Sequence, residues 1–204
     1  MGIVFRPTRL DEIEIAVPLI YSVDPDFFEY CFTQGGTTSM DFLRFAYGDG
    51  RGFFGWGRQC AAEVDGVLGG LGLFYDHREY QRLSNQLAWQ VLRFFGLTTI
   101  PRVVLRLLST TALMPPPSPG MHFVANLGVR SELQGRGVGT ALLEHQMDVG
   151  RSLGRTIFAL DVSAANPRGQ ALYERLGLRV VSERAFRHPE ILHNQRRMEM
   201  ALAR

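Results

Sequence analysis

Gln134-Gly135-Arg136-Gly137-Val138-Gly139-Thr140 is the stretch on which the reading of this 204-residue chain turns. It follows an apolar run, His122 to Val129, that reads as a strand. It opens a segment, Gly137 to about Leu153, that reads as a helix closed by Gly154. Three alternating glycines let the backbone turn tightly and leave amide N–H groups uncovered. The helix adds its unsatisfied N-terminal donors and the positive end of its dipole. Together they form an anion site suited to a phosphate or pyrophosphate. The Gly-Lys-Ser/Thr ending of a P-loop is absent. So are the Gly-x-Gly-x-x-Gly spacing and the distal acid of a dinucleotide fold. A flexible turn is the plain alternative.

On the C-terminal side, Thr156 to Val162 reads as a buried strand. Asn166 then caps a helix with Pro167 in its first turn and Gly177 just past its end. Arg179 to Phe186 and Gln195 to Ala201 read as two final strands. On the N-terminal side, Gln59 to Val64, Asp65-Gly66 and Val67 to Tyr75 read as a hairpin, Asp-Gly supplying the positive φ angles of a two-residue turn. Ile3 to Phe5 reads as a short strand, and Thr8 with Asp11 as a capping box. Leu10, Ile13, Val17 and Ile20 have helical spacing, with Pro18 expected to kink or split that helix. The aromatic stretch Phe27 to Phe32 ends at Gly35-Gly36, and Thr37, Thr38 or Ser39 caps a second short helix through Tyr47. Residues 76–119 break the rhythm. Leu83, Leu87, Val91 and Phe94 predict a helix to about Phe95, ended by Gly96. Val103, Leu107 and Leu108 allow another before Pro115-Pro116-Pro117. This segment reads as an insertion packed on the domain, a lid over a site, a dimerisation element or an amphipathic membrane-surface element.

Composition narrows the classes. With 46% hydrophobic and 21% charged residues the chain is an ordinary globular one, not disordered, collagen-like or coiled-coil. Two cysteines, Cys31 and Cys60, make no disulfide framework and suggest a reducing compartment. No apolar run is long enough to span a membrane, and Met1 to Arg9 lacks a signal-peptide core, so a cytoplasmic protein without a membrane partner is expected. All 22 basic residues are Arg, for a net charge of +2. Residues 1–75 carry 5 Arg against 10 acids, whereas residues 121–204 carry 12 against 8. A basic half suggests an anionic ligand and an acidic half a cationic one. No clustered basic run interleaves with aromatics, so a nucleic-acid partner is not expected.

Two spaced blocks give the anion loop a context. Asn126-Leu127-Gly128-Val129, four residues, then Gln134-Gly135-Arg136-Gly137-Val138-Gly139 resembles the acetyl-CoA signature Gln/Arg-x-x-Gly-x-Gly/Ala, which follows the fourth strand in the GNAT superfamily of N-acetyltransferases. Asn166 to Gly177, reading Asn-Pro-Arg-Gly-Gln-Ala-Leu-Tyr-Glu-Arg-Leu-Gly, resembles that family's second block, with Gly169 where Ala is usual. The resemblance covers residues 121–202 and implies an α/β GNAT fold. That is a mixed, strongly twisted sheet flanked by helices, here one domain over 1–204 with a helical insertion between the third and fourth strands.

It also implies a chemistry, in which an amine attacks the thioester of acetyl-CoA and the CoA thiolate leaves. By resemblance, Leu127, Gly128 and Val129 offer backbone groups to the pantetheine and acyl carbonyl, and such an amide stabilises an oxyanion. Gln134, Gly135, Arg136, Gly137, Val138, Gly139 and Thr140 hold the pyrophosphate, and Asn166 contacts the pantetheine arm or serves only as a helix cap. Tyr173 matches the family's general acid, a phenol protonated at neutral pH; its plain alternative is a packed core tyrosine. No general base emerges. Asn126 stands on the strand where relatives place an acid, His122 reads as structural, and Asp24, Asp26 and Glu29 lie in the expected acceptor segment. Of Arg130, Arg136 and Arg168, Arg136 is the favoured phosphate contact. If two of Phe27, Phe28, Tyr30 and Phe32 line a pocket, the acceptor has an apolar part beside its amine. The expected activity is direct, ternary-complex transfer of acetyl to a primary amine of a small molecule or peptide, without a metal and with homodimerisation expected from family habit. The alternative is a non-catalytic acyl-CoA sensor or interaction module.

Overall fold

Asp65 and Gly66 both sit at positive φ (50° and 83°), closing the hairpin of β2 (Gln59–Val64) and β3 (Val67–Tyr75) as the Asp-Gly pair predicts. In the computed structural model, which describes residues 2–188 and 190–202, this hairpin anchors one half of a seven-stranded sheet. β1 (Ile3–Pro7) pairs outside β2, and β4 (Met121–Val129) pairs with β3. The other half holds β5 (Ile157–Ser163), β6 (Arg179–Arg184) and β7 (Gln195–Ala201). The order is β1-β2-β3-β4-β5-β7-β6, and only the β4–β5 contact is parallel.

That parallel seam shapes the molecule. Met121 pairs with Ile157 and the register continues to Val124 opposite Leu160, where it stops. Beyond it β4 remains paired to β3 as far as Val129, so its other edge is open toward β5. The β3–β4 register slips between Leu71 and Leu73, and Asn126 takes a left-handed conformation (φ 53°) opposite the slip. This is a β-bulge, which twists a strand and re-aims its side chains.

Helices α1 (Ile13–Tyr21), α2 (Pro25–Phe32) and α3 (Ser39–Gly48) cover one face of the sheet. Their core is aromatic. Phe32 stacks on Phe42 at 4.2 Å between centroids, beside fully buried Val17, Ile20 and Leu43. Each such side chain contributes about 1.5–3 kcal/mol by burial. α4 (His77–Phe94) and α5 (Ile100–Thr110), lying between β3 and β4, extend this layer through Leu83, Val91 and Val103. Their outer faces leave Trp89, Leu92, Leu105 and Leu108 exposed. α6 (Val138–Ser152) and α7 (Pro167–Arg175) cover the opposite face, with Leu143 and Met147 packed on Phe158 and Met198.

The N-terminal expectations are partly corrected. Thr8 caps nothing. It is buried, and its hydroxyl donates to the Trp56 carbonyl at 2.6 Å, while Glu12 accepts from the Arg9 N–H at 2.7 Å ahead of a single 3₁₀ turn. Leu10, in that turn, is half exposed rather than core. α1 runs through Pro18 without a break, because Pro18 lies on the exposed side while Val17, Leu19 and Ile20 are held by packing.

Candidate active site

The parting of β4 from β5 opens a cleft of about 520 Å³, bordered by the glycine loop, the α1–α2 connection, the start of α7 and the first residue of β7. Gly137 precedes α6 at φ 87°, a conformation that L-residues with a Cβ rarely adopt, and Gly135 sits at φ 79°. Arg136 N–H donates to the Leu133 carbonyl and Ala141 N–H to Gly137. The N–H groups of Gly135, Gly137, Val138, Gly139 and Thr140 find no acceptor among the described residues. Five uncommitted donors at a helix N-terminus form an anion cradle.

The loop is laced to its surroundings by one side chain. Gln134 donates from Nε2 to the Val129 carbonyl (3.1 Å) and accepts at Oε1 from Arg168 Nη1 (2.9 Å), joining β4, the loop and α7. Arg168 and Arg175 border the cleft and have no carboxylate partner among the described residues; Arg136, exposed like them, does not border it. Leu127, Gly128, Val129, Gln134, Gly135, Gly137, Val138, Gly139, Thr140, Asn166 and Tyr173 all border it. Gly128 has a packing role as well, since a Cβ there would lie 2.7 Å from the Leu19 carbonyl oxygen. Asn166 caps α7, accepting from the Gly169 N–H at 2.8 Å. A Cβ on Gly169 would come within 2.8 Å of Asn166 Nδ2.

Tyr173 packs among Val124, Leu143 and Phe158 yet reaches the cleft. Burial alone pushes its phenol up to about 12, so it is fully protonated at neutral pH. Two carboxylates border the same space. Asp161, at the end of β5, is gripped by Arg197 through Nε (2.6 Å) and Nη2 (3.0 Å), with Arg184 at 4.0 Å. Asp24 caps α2, accepting from the Phe27 N–H at 3.1 Å and from Gln195 Nε2 at 3.2 Å. Desolvation pushes both carboxyls above their ordinary range. Phe27, Phe28, Tyr80, Met114 and Phe123 add an apolar wall.

The sequence matches the acetyltransferase (GNAT) family model over residues 20–178. The chain belongs to the GNAT family. Solved structures agree in fold. An N-acetyltransferase from Staphylococcus aureus Mu50 superposes with a TM-score of 0.73 at 15% identity, covering 97% of this chain and 100% of that one. An agmatine N-acetyltransferase mutant in its apo form gives 0.57 at 17% identity, with 98% and 100% covered. A Salmonella typhimurium protein solved with its cofactor acetyl-CoA gives 0.53 at 14% identity, with 100% and 96% covered. No curated protein matches the chain by sequence.

The GNAT frame sorts the remaining residues. Asn126 donates to the Phe53 carbonyl at 2.8 Å, tying the bulge to the α3–β2 connection. His122 is buried, 3.1 Å from Gln146 Oε1, with its basicity lowered by desolvation, and it lies outside the cleft lining. Asp26, Glu29, Tyr30 and Phe32 also lie outside the lining, whereas Asp24, Phe27 and Phe28 are within it. Sequence reasoning missed Asp161, although an acid inside the apolar run Ile157 to Val162 was a visible signal. It also missed Tyr80 and Met114, which nothing in their local pattern distinguishes.

Proposed function

We propose that this GNAT protein transfers an acetyl group from acetyl-CoA to a primary amine in a direct ternary complex. The observation that carries this reading is the set of five uncommitted N–H groups beside Arg168, in one cleft with the open β4 edge and the Tyr173 phenol. The loop fits a pyrophosphate because those donors lack a partner among the described residues, and Arg168 adds a positive charge next to them. Arg168 therefore takes the phosphate role first assigned to Arg136.

Acetyl-CoA supplies a thioester carbonyl as electrophile and a thiolate leaving group. The β4 edge from Ala125 to Val129 offers main-chain groups to the pantetheine arm and the acyl oxygen, and a fixed N–H there stabilises developing negative charge. Tyr173 donates its phenolic proton toward the departing sulfur. The ammonium gives one proton to water to become the nucleophile, and the proton released as the C–N bond forms also passes to water, balancing the one that Tyr173 lends to sulfur; the Asn126 amide cannot accept either. No cysteine is suited to carry the acyl group. Cys31 is buried with its thiol pushed up, burial also raises that of Cys60, and neither borders the cleft. This supports direct transfer.

Calorimetric titration with acetyl-CoA tests the donor site, comparing wild type with Gly137→Val. A Cβ at this position meets no neighbouring atom, whereas φ 87° strains any L-residue placed there, so the substitution acts first on the loop backbone. Binding by wild type that the variant loses, followed by CoA release with primary amines, supports transfer. Binding without CoA release from any amine favours the sensor reading. Absence of binding by acetyl-CoA and longer acyl-CoAs rejects both.

A further inference from the structure

We propose that Asp24 is the anchor for the acceptor's ammonium group, and that the acceptor is a monoamine with an apolar or aromatic group behind its nitrogen. This rests on the acetyl-transfer reading of the same cleft. Of the two carboxylates that border the cleft, only one is neutralised from within. Asp161 has a two-pronged bond to Arg197 and a second arginine at 4.0 Å. The partners of Asp24 are neutral, the Phe27 N–H and the Gln195 amide. The one basic side chain whose charge bears on it is His193, which is exposed and set against Asp26 at 3.8 Å. Among the described residues the cleft therefore carries unpaired cations on α7, Arg168 beside the glycine loop and Arg175, and an unpaired anion, Asp24, at the α1–α2 connection.

A partly buried carboxylate whose partners are all neutral is a ready site for a cation that a ligand brings. Partial desolvation also pushes the Asp24 carboxyl upward, and an approaching ammonium would offset that push. An ammonium is the complementary group, and a primary amine carries it in solution at neutral pH. The surroundings limit what lies behind it. Phe27, Phe28, Tyr80, Met114 and Phe123 border the space, and no second uncompensated acid does. An aromatic or alkyl monoamine is matched by this wall. A diamine would bury its second charge against it.

Asp24→Asn tests the assignment cleanly, because Asn caps a helix as well as Asp and α2 keeps its first-turn hydrogen bond. The charge is lost and the shape is kept. Wild type and variant are compared in melting temperature, acetyl-CoA affinity, and kcat and KM for 2-phenylethylamine and putrescine. Calorimetry of 2-phenylethylamine on CoA-loaded protein gives a readout that needs no turnover. The expected result is a preference of wild type for 2-phenylethylamine and a loss of roughly 10- to 100-fold in kcat/KM in the variant, carried by KM. Acetyl-CoA affinity stays unchanged and melting temperature does not fall, because the variant keeps the cap and loses only a charge that burial disfavours. Retained KM in the variant, a preference for putrescine, or no amine bound by acetyl-CoA-competent wild type overturns the anchor. Amine binding that depends on Asp24 without any turnover keeps the anchor and rejects acetyl transfer.

Discussion

Tyr173→Phe separates chemistry from packing at the centre of the cleft. The ring lies among Val124, Leu143, Phe158 and Met198, and Phe preserves it. The hydroxyl makes no hydrogen bond among the described residues, so its removal strands no partner and stability should stay within about 0.5 kcal/mol of wild type. Turnover is different. A phenol pushed up to about 12 stands about 3.5 units above a free thiol near 8.5, so complete proton transfer to the leaving sulfur would run uphill by about 5 kcal/mol. The phenol therefore serves as a donor that strengthens as charge grows on sulfur, and losing one such donor costs roughly 10²–10³ in kcat. Thiol release at saturating acetyl-CoA and amine measures this, with calorimetry for acetyl-CoA affinity and a thermal melt beside it. A kcat within about threefold of wild type removes Tyr173 from the mechanism. So does a loss confined to acetyl-CoA affinity and KM with kcat unchanged, since the hydroxyl would then act in binding.

Arg168→Gln removes both the cation at the glycine loop and its bond to Gln134, and acetyl-CoA affinity should fall roughly 10- to 100-fold, a gap that narrows in high salt. Arg136→Gln, altering an exposed side chain outside the cleft, should change affinity by less than about threefold; calorimetry on both variants decides between the two arginines. Gly128→Ala forces a Cβ to 2.7 Å from the Leu19 carbonyl oxygen, and because backbone must yield, a destabilisation of about 1–3 kcal/mol is expected in denaturant melts. Burial raises Tyr47 and Tyr173 to about 12, so the neutral phenol is favoured in the folded state. Their contribution to stability is full below the unfolded value near 10 and is lost as pH rises through about 12. Melting temperature measured from pH 8 upward should therefore begin to fall near pH 10, and stability that holds through pH 12 contradicts the assignment.

What could be read of the fold came from local physics. Asp65-Gly66 specifies its turn by conformational preference alone, and Asn166-Pro167 followed by Gly177 brackets α7 by capping chemistry. Reading fails where the deciding partner is distant. The spacing of Thr8 and Asp11 suits a capping box, but Thr8 is buried with its hydroxyl donating to the Trp56 carbonyl, 48 residues on, and the turn begins one residue later, at Arg9, whose N–H bonds to Glu12. Pro18 breaks helices in isolation, yet the buried side chains around it keep α1 continuous. Local pattern is equally silent on β7 lying between β5 and β6, because register there is set by tertiary pairing across Met198 and Arg197.

The candidate site divides along the same line. The glycine loop is a property of contiguous residues, so its conformation follows from its spacing. The choice between Arg136 and Arg168 does not. Arg136 is adjacent in sequence, whereas Arg168 reaches the loop from α7 by way of Gln134, and only the packing of two separate blocks brings them to 2.9 Å. The acids show the sharper case. In sequence Asp24 is one of several acids in a negatively charged N-terminal half, and Asp161 is a lone acid in an apolar strand, which makes Asp161 the more conspicuous. Folding reverses their standing. Arg197, itself 4% exposed, closes on Asp161 and spends its charge inside the protein, while Asp24 meets only neutral donors. An acid is available to a ligand when the fold leaves its charge unpaired, and that is a property of the whole tertiary arrangement rather than of any motif.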